Sequence, residues 1–248
     1  MTTLAGPLPV RSGVRFTPAR ATFVLVGLFL LVLATLAASA LLGEYPVDVS
    51  RALADPTSPD GRVLFGLRIP RALLGALVGA SLAASGSALQ ALLRNPLADS
   101  FVLGVSGGAA LGATLALALG LQAVAAPSLF AFVGAVAAMA LVLAAGQARR
   151  SPYAALLTGV VFNAFAAAII TCIKTLLTPD RLGEVLYWLA GSLGYERPRT
   201  LLMGGLLQVV ALGLLWIESA RLNLLTLGDD EAASLGVPVG RTRALVLI

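Results

Sequence analysis

Asp229-Asp230-Glu231 is the one place in the chain where three charged residues are consecutive, and it heads the segment Gly228-Asp229-Asp230-Glu231-Ala232-Ala233-Ser234-Leu235-Gly236-Val237-Pro238. The spacing suits recognition rather than catalysis. Acids in a first helical turn complement the helix dipole, Thr226 and Asp229 match a capping box, and Gly236 with Pro238 supplies a stop. The predicted helix, Asp229 to Leu235, has about two turns and is too short to be stable alone in water. It is either a solvated interfacial helix or a helix that needs a socket. The second charged pattern is Arg68 and Arg71 in Leu67-Arg68-Ile69-Pro70-Arg71. A planar guanidinium pairs carboxylates bidentately, so the two could receive an acidic partner; the plainer reading is anchoring of a helix end at an interface.

Two absences narrow the chemistry. Histidine is missing, and with it the commonest general base and metal ligand. The one lysine, Lys174, follows no glycine-rich loop, so there is no Walker A phosphate cradle. If nucleotide energy is used, another chain binds it. The single cysteine, Cys172, offers neither a disulfide framework nor metal-ligand spacing. No catalytic, cofactor or metal site is expected. The net charge of +5 comes from basic residues scattered singly through connections, which gives no support to nucleic-acid binding.

The elements that must position these residues are membrane helices. Ser100 to Ala148 runs 49 residues without a charge, and Ala21 to Gly43, Ala72 to Leu93, Ser151 to Ile173 and Thr200 to Ile217 are uncharged stretches of 18 to 23 residues. A spanning helix needs about 20 apolar residues. The long stretch suffices for two crossings with a turn between Gly120 and Pro127, so six spans are predicted. Hydrophobic residues make up 58% of the chain and charged ones 12%, against about 25% charged in a soluble domain. The expected fold is an all-α, polytopic transmembrane bundle: residues 1–20 form an N-terminal segment and 21–248 the membrane domain. Ala38-Ser39-Ala40 resembles a signal-peptidase site, but a signal core is about 7 to 15 residues and this run is longer, which favours a retained first span.

With the N-terminus inside, the connections carry nine Lys and Arg inside and eight outside, a small bias whose direction follows Arg11, Arg15, Arg20, Arg149 and Arg150. Gly75, Gly79 and Ala83 form one small-residue stripe, and Gly104, Gly108 and Gly112 another; such stripes let helix backbones approach closely in lipid. The amides Gln90, Gln122, Asn163 and Gln208 are the notable polar groups within the apolar runs, and no Asp or Glu joins them. Ion-coupled transporters usually carry intramembrane carboxylates, which disfavours a self-contained secondary transporter. Lys174 reads as snorkelling to the interface.

Four blocks carry a resemblance: Leu67-Arg68-Ile69-Pro70-Arg71, Ser85-Gly86-Ser87-Ala88-Leu89-Gln90, Arg94-Asn95-Pro96-Leu97-Ala98-Asp99 and Leu103-Gly104-Val105-Ser106-Gly107-Gly108-Ala109. In that order they resemble the FecCD family, the permease subunits of ABC importers for iron-siderophore, haem and cobalamin. Leu157 to Asn163, Tyr187 to Ser192 and Leu222 to Gly228 also look like family blocks. The resemblance implies a paired permease, with a second copy or a homologue, two ABC ATPase subunits on the inner side and a solute-binding protein docking from outside, in a bacterial inner membrane. It implies that Asp229, Asp230, Glu231, Ala232, Ala233, Ser234, Leu235 and Gly236 form the coupling helix that fits the ATPase. Arg68 and Arg71 match residues that receive the binding protein, Asn95 and Leu97 match an inner constriction, and Asn163 is expected to face the path. Family members have about ten helices, whereas this chain stops at Ile248 as a seventh apolar segment begins. Iron-siderophore chelates are the expected cargo, with cobalamin and haem open. A secondary transporter or a non-transporting scaffold is the alternative.

Overall fold

The computed structural model describes residues 17–121, 123, 125–149, 152–194 and 198–247. Arg11, Arg15, Gln122, Arg150 and Arg197 lie outside the described residues, as does most of the N-terminal segment 1–20. Every regular element among the described residues is a helix. The chain divides into two compact units, Met1–Leu73 and Leu74–Ile248.

The first unit opens with α1 (Pro18–Leu41), whose Thr17 hydroxyl accepts the Arg20 amide while Pro18 starts the helix. No residue of α1 is buried, although Phe23, Leu25 and Phe29 are among its side chains. A helix that is apolar on every face needs lipid rather than water around it. Two short helices follow, α2 (Val49–Ala54) and α3 (Pro59–Val63). The Asp48 carboxylate caps α2 by accepting the Ser50 and Arg51 amides, and Ser58 caps α3 through the Gly61 amide. A π turn, Leu64–Arg68, leads into α4 (Ile69–Leu93). Pro70 explains the wider turn: it has no N–H to continue the α ladder.

In the second unit, α5 (Val105–Ala118) packs against α6 (Ala126–Arg149) and α7 (Pro152–Leu176). Glycine decides the contact. A Cβ on Gly108 would run into the Gly134 carbonyl, and one on Gly112 into the Phe130 carbonyl, so α5 and α6 touch backbone to backbone. The predicted packing role is thus observed for Gly108 and Gly112, whereas Gly104 precedes the helix and faces Phe162 and Gly159 of α7. Leu89, Leu103 and Val142 form the buried cluster beside it. Gly79, of the other stripe, has nothing within 4 Å of where a Cβ would stand.

Among the described residues, five helical runs are long and apolar enough to cross a bilayer: Pro18–Leu41, Pro59–Leu93, Ala126–Ala145, Leu156–Leu176 and Arg199–Leu225. The sequence predicted six. The difference is α5, whose 14 residues extend about 21 Å against a hydrocarbon core of about 30 Å. Asp99 accepts the Val102 amide and Gly104 sits at φ +81, so Ser100–Gly104 turns instead of extending the helix. A second departure is α8 (Pro179–Ala190), a helix where the sequence reading placed a plain connection. Its Val185 is fully buried, and Arg181 donates to the last-turn carbonyl of Ala118 at 2.6 Å, covering the end of α5. The chain continues through α9 (Pro198–Leu225), α10 (Asp229–Ser234) and α11 (Val239–Leu247).

Candidate functional site

Helix α10 is the predicted short helix, and its socket is internal to this unit. Ala232, fully buried, packs with Val237 against Ala88 and Leu92 of α4 and Leu222 and Leu225 of α9. Small size at Ala232 lets α10 lie close on those two helix ends. The stop forms as expected: Gly236 at φ +84 donates to Ala233 O and Val237 donates to Ala232 O, a Schellman closure. The start does not. Gly228 occupies the N-cap with no side-chain hydrogen bond, and Thr226 donates its hydroxyl back to Asn223 O, so the expected capping box is absent. The Asp229 carboxylate is drawn instead to two cations: its Oδ1 accepts from Arg243 Nη2 at 2.9 Å and lies 3.5 Å from Arg94 Nη2.

The outward face of α10 presents Asp230, Glu231, Ala233, Ser234, Leu235 and Gly236, all exposed, beside exposed Leu227. Two leucines about 60% accessible, edged by two exposed carboxylates, form a surface suited to a protein partner with an apolar cleft and a basic rim.

The Asn95 and Leu97 pair lies in the turn that follows α4. The Asn95 side chain accepts the Leu97 amide at 2.9 Å and its carbonyl accepts the Ala98 amide, which fixes the turn and leaves Leu97 projecting with 82% of its surface accessible. Arg94, just before it, sits at φ +50 and closes α4. Asn163 was expected to face a path. The structure places it in a packing contact: Nδ2 donates to Phe101 O, and Oδ1 is buried against Gly107 with no hydrogen-bond partner among the described residues, so the residue ties α7 to the turn before α5.

In the first unit, Arg68 and Arg71 part company. Arg68 donates to Leu41 O at 3.0 Å, to Ala40 O at 3.3 Å and to Tyr45 O, and its guanidinium fills the space beside Gly43. It caps the C-terminal end of α1, where carbonyls lack intrahelical partners. That is the anchoring reading, and it commits the planar donors that were expected to receive a partner. Arg71 is exposed and has no ion pair among the described residues.

Sequence reasoning missed the joint role of Arg94 and Arg243 because 135 residues separate Arg94 from Asp229. It also missed α8, although Leu182, Val185, Leu186 and Leu189 recur at helical spacing behind Pro179 and Asp180. Among the described residues, no group of three or more His, Cys, Asp or Glu side chains converges on a metal position.

Several helices long and apolar enough to cross a bilayer, and mostly exposed among the described residues, define a multi-pass membrane protein. Residues 25–248 match the sequence model of the FecCD transport family, and the chain belongs to that family. It is 34% identical over 235 residues to the hemin transport system permease protein HmuU of Yersinia pestis, covering 90% of this chain and 70% of HmuU. It is 39% identical over 198 residues to the uncharacterized ABC transporter permease protein YvrB of Bacillus subtilis (strain 168), covering 75% of this chain and 54% of YvrB. A solved structure described as an inward-facing metal-chelate type ABC transporter matches with a TM-score of 0.79 at 31% identity, over 91% of this chain and 71% of that one. The chain spans about half the length of several curated relatives it matches, 54% to 56% of each.

Proposed function

We propose that the chain serves as the membrane permease subunit of a binding-protein-dependent ABC importer and carries an iron-siderophore-type chelate across the bacterial inner membrane. The observation that supports this reading best is α10, a short helix held on the ends of α4 and α9 with its leucine and carboxylate face turned outward. A separate ABC ATPase subunit would bind that face, and nucleotide-driven closure would enter the membrane helices through it. On this reading α10 and the Asn95–Leu97 turn are cytoplasmic, as is the N-terminus, and Leu97 stands at the inner constriction.

Arg71, exposed and unpaired among the described residues, is the residue best placed to receive a carboxylate of a solute-binding protein, while Arg68 holds the neighbouring loop against α1. Asn163 serves the path indirectly by fixing the turn that leads into α5. A second permease copy or a homologue would complete the path, with membrane lipid around both. Hemin, named for HmuU, and cobalamin, named for a BtuC relative, are the competing cargoes.

The test is reconstitution of the permease with its ATPase subunit and binding protein, followed by uptake of radiolabelled ferric siderophore, haem and cobalamin in parallel. ATP-dependent accumulation of the ferric chelate alone is expected. Accumulation driven by an ion gradient without ATP would refute the importer reading.

A further inference from the structure

We infer that Arg94, Asp229 and Arg243 form a charge bridge that makes the Asn95–Leu97 turn move as one body with α10, Asp229 acting as a positioning residue. The inference rests on the coupling role proposed for α10.

Three elements meet at one carboxylate oxygen. Arg94 ends α4 and begins the turn, Asp229 is the first residue of α10, and Arg243 lies in the second turn of α11; Asp229 Oδ1 is 2.9 Å from Arg243 Nη2 and 3.5 Å from Arg94 Nη2. Arginine at position 94 is informative in itself. The backbone there is left-handed, φ +50, at a helix end where glycine is the unstrained choice. A long cationic side chain kept at such a position is explained by what the side chain reaches. Gly228 borders the bridge: a Cβ on it would stand at an ordinary contact distance, 3.6 Å, from Arg94 Nη1, and its φ of +144 is what calls for glycine there.

The side chains of Arg94, Asp229 and Arg243 are 36%, 41% and 35% accessible, so solvent screens the pairs and they add little to global stability. Their effect is on register. The apolar contact joining α4 to α10, Ala88 and Leu92 against Ala232, is non-directional and restrains sliding weakly; a carboxylate shared by two guanidiniums restrains it directionally. Beyond Arg94, the Asn95 side chain and carbonyl lock the turn as far as Ala98. A displacement of α10 is therefore delivered to Leu97 rather than absorbed in a loose loop. Asp230 and Glu231 take no part and stay available on the outer face.

The experiment uses the permease in lipid vesicles with its ATPase subunit bound, in a Cys172→Ala background. Spin labels replace Leu97 and Ser234 in one sample and Lys174 and Ser234 in another, and separations are measured without nucleotide and with ATP and vanadate. The expected result is a change in the Lys174–Ser234 separation on trapping, while the Leu97–Ser234 separation keeps a single narrow peak. Asp229→Asn abolishes that narrow peak, Asp229→Glu retains it, and Arg94→Gln combined with Asp229→Asn is no worse than either alone. A narrow Leu97–Ser234 peak that survives Asp229→Asn overturns the bridge and leaves the coupling role standing. A Lys174–Ser234 separation that ATP does not change overturns the coupling role, and the bridge with it.

Discussion

Replacing Gly108 with Ala adds one methyl group at the point where α5 and α6 touch. The new carbon would overlap the Gly134 carbonyl and lie 2.7 Å from Ala138 Cβ, so the backbone of α6 has to move. Overpacking of a close contact costs about 1–3 kcal/mol. The rigid carbonyl at the contact puts the cost in the upper part of that range. Gly79→Ala makes the same chemical change with nothing within 4 Å, and its effect is limited to helix propensity, a gain of between zero and about 1 kcal/mol. Both glycines lie inside helices, so that gain is common to the two variants, and they should differ by the overpacking cost, about 2–3 kcal/mol, with Gly108→Ala the less stable. Denaturation by SDS in mixed micelles, followed by the helical circular dichroism signal, measures both. Equal shifts for the two variants would refute the argument that Gly108 and Gly112 make a backbone contact with α6.

Arg68→Ala should free the carbonyls of Ala40, Leu41 and Tyr45 and raise hydrogen exchange around residues 40–45, at a cost of about 1–2 kcal/mol, whereas Arg71→Ala leaves exchange there unchanged. Arg71→Glu should weaken binding-protein docking more than tenfold, as reversal of an interfacial charge does, and titration calorimetry with the purified partner checks it. Ala233→Pro removes helix propensity in the middle of α10 by about 3 kcal/mol and should separate ATP hydrolysis from uptake while membrane insertion persists; substrate-stimulated hydrolysis at the parental rate would contradict it. The Ser50 hydroxyl, then the Arg51 amide, hold the Asp48 carboxyl below its ordinary 3.8, and a hydrogen bond from Thr57 does the same for Asp55. A depressed folded value means that the stabilisation is complete above the ordinary value and is lost as pH falls through the lowered one. Exchange of the Ser50, Arg51 and Thr57 amides should accelerate only in that acidic range, beyond the intrinsic pH trend.

Much of the fold is legible because lipid imposes a simple rule on the sequence. The uncharged runs ending at Gly43, Leu93 and Ile173 each became one helix, since backbone groups in hydrocarbon have no other partner. The rule counts charges and length, and it fails where neither decides. Ser100–Gly104 is apolar enough to belong to a span, but Asp99 and Gly104 turn it, and α5 is short as a result. The two small-residue stripes are alike as text. One is closed by α6 at Gly108 and Gly112 and the other is open at Gly79, and no local pattern distinguishes them because the difference lies in a helix elsewhere in the chain.

The site shows the same division at higher resolution. The stop of α10 was readable because Gly236 acts on its own neighbours, and a left-handed residue at a helix end is a local matter. The capping box was misread for a related reason: Thr226 and Asp229 have the spacing, but Asp229 lies within reach of Arg94 and Arg243, and a carboxylate pairs more strongly with a full positive charge than with a backbone N–H. Arg68 follows the same logic in the first unit, where unsatisfied carbonyls at the end of α1 take the donors that its motif suggested for a partner. In a chain with only 12% charged residues, each charge near a helix end competes between a local role and a remote one. The outcome depends on which helix ends the fold brings near it. Charged residues without an ion pair among the described residues, Arg71 and Asp230 among them, are accordingly the better candidates for binding something outside the chain.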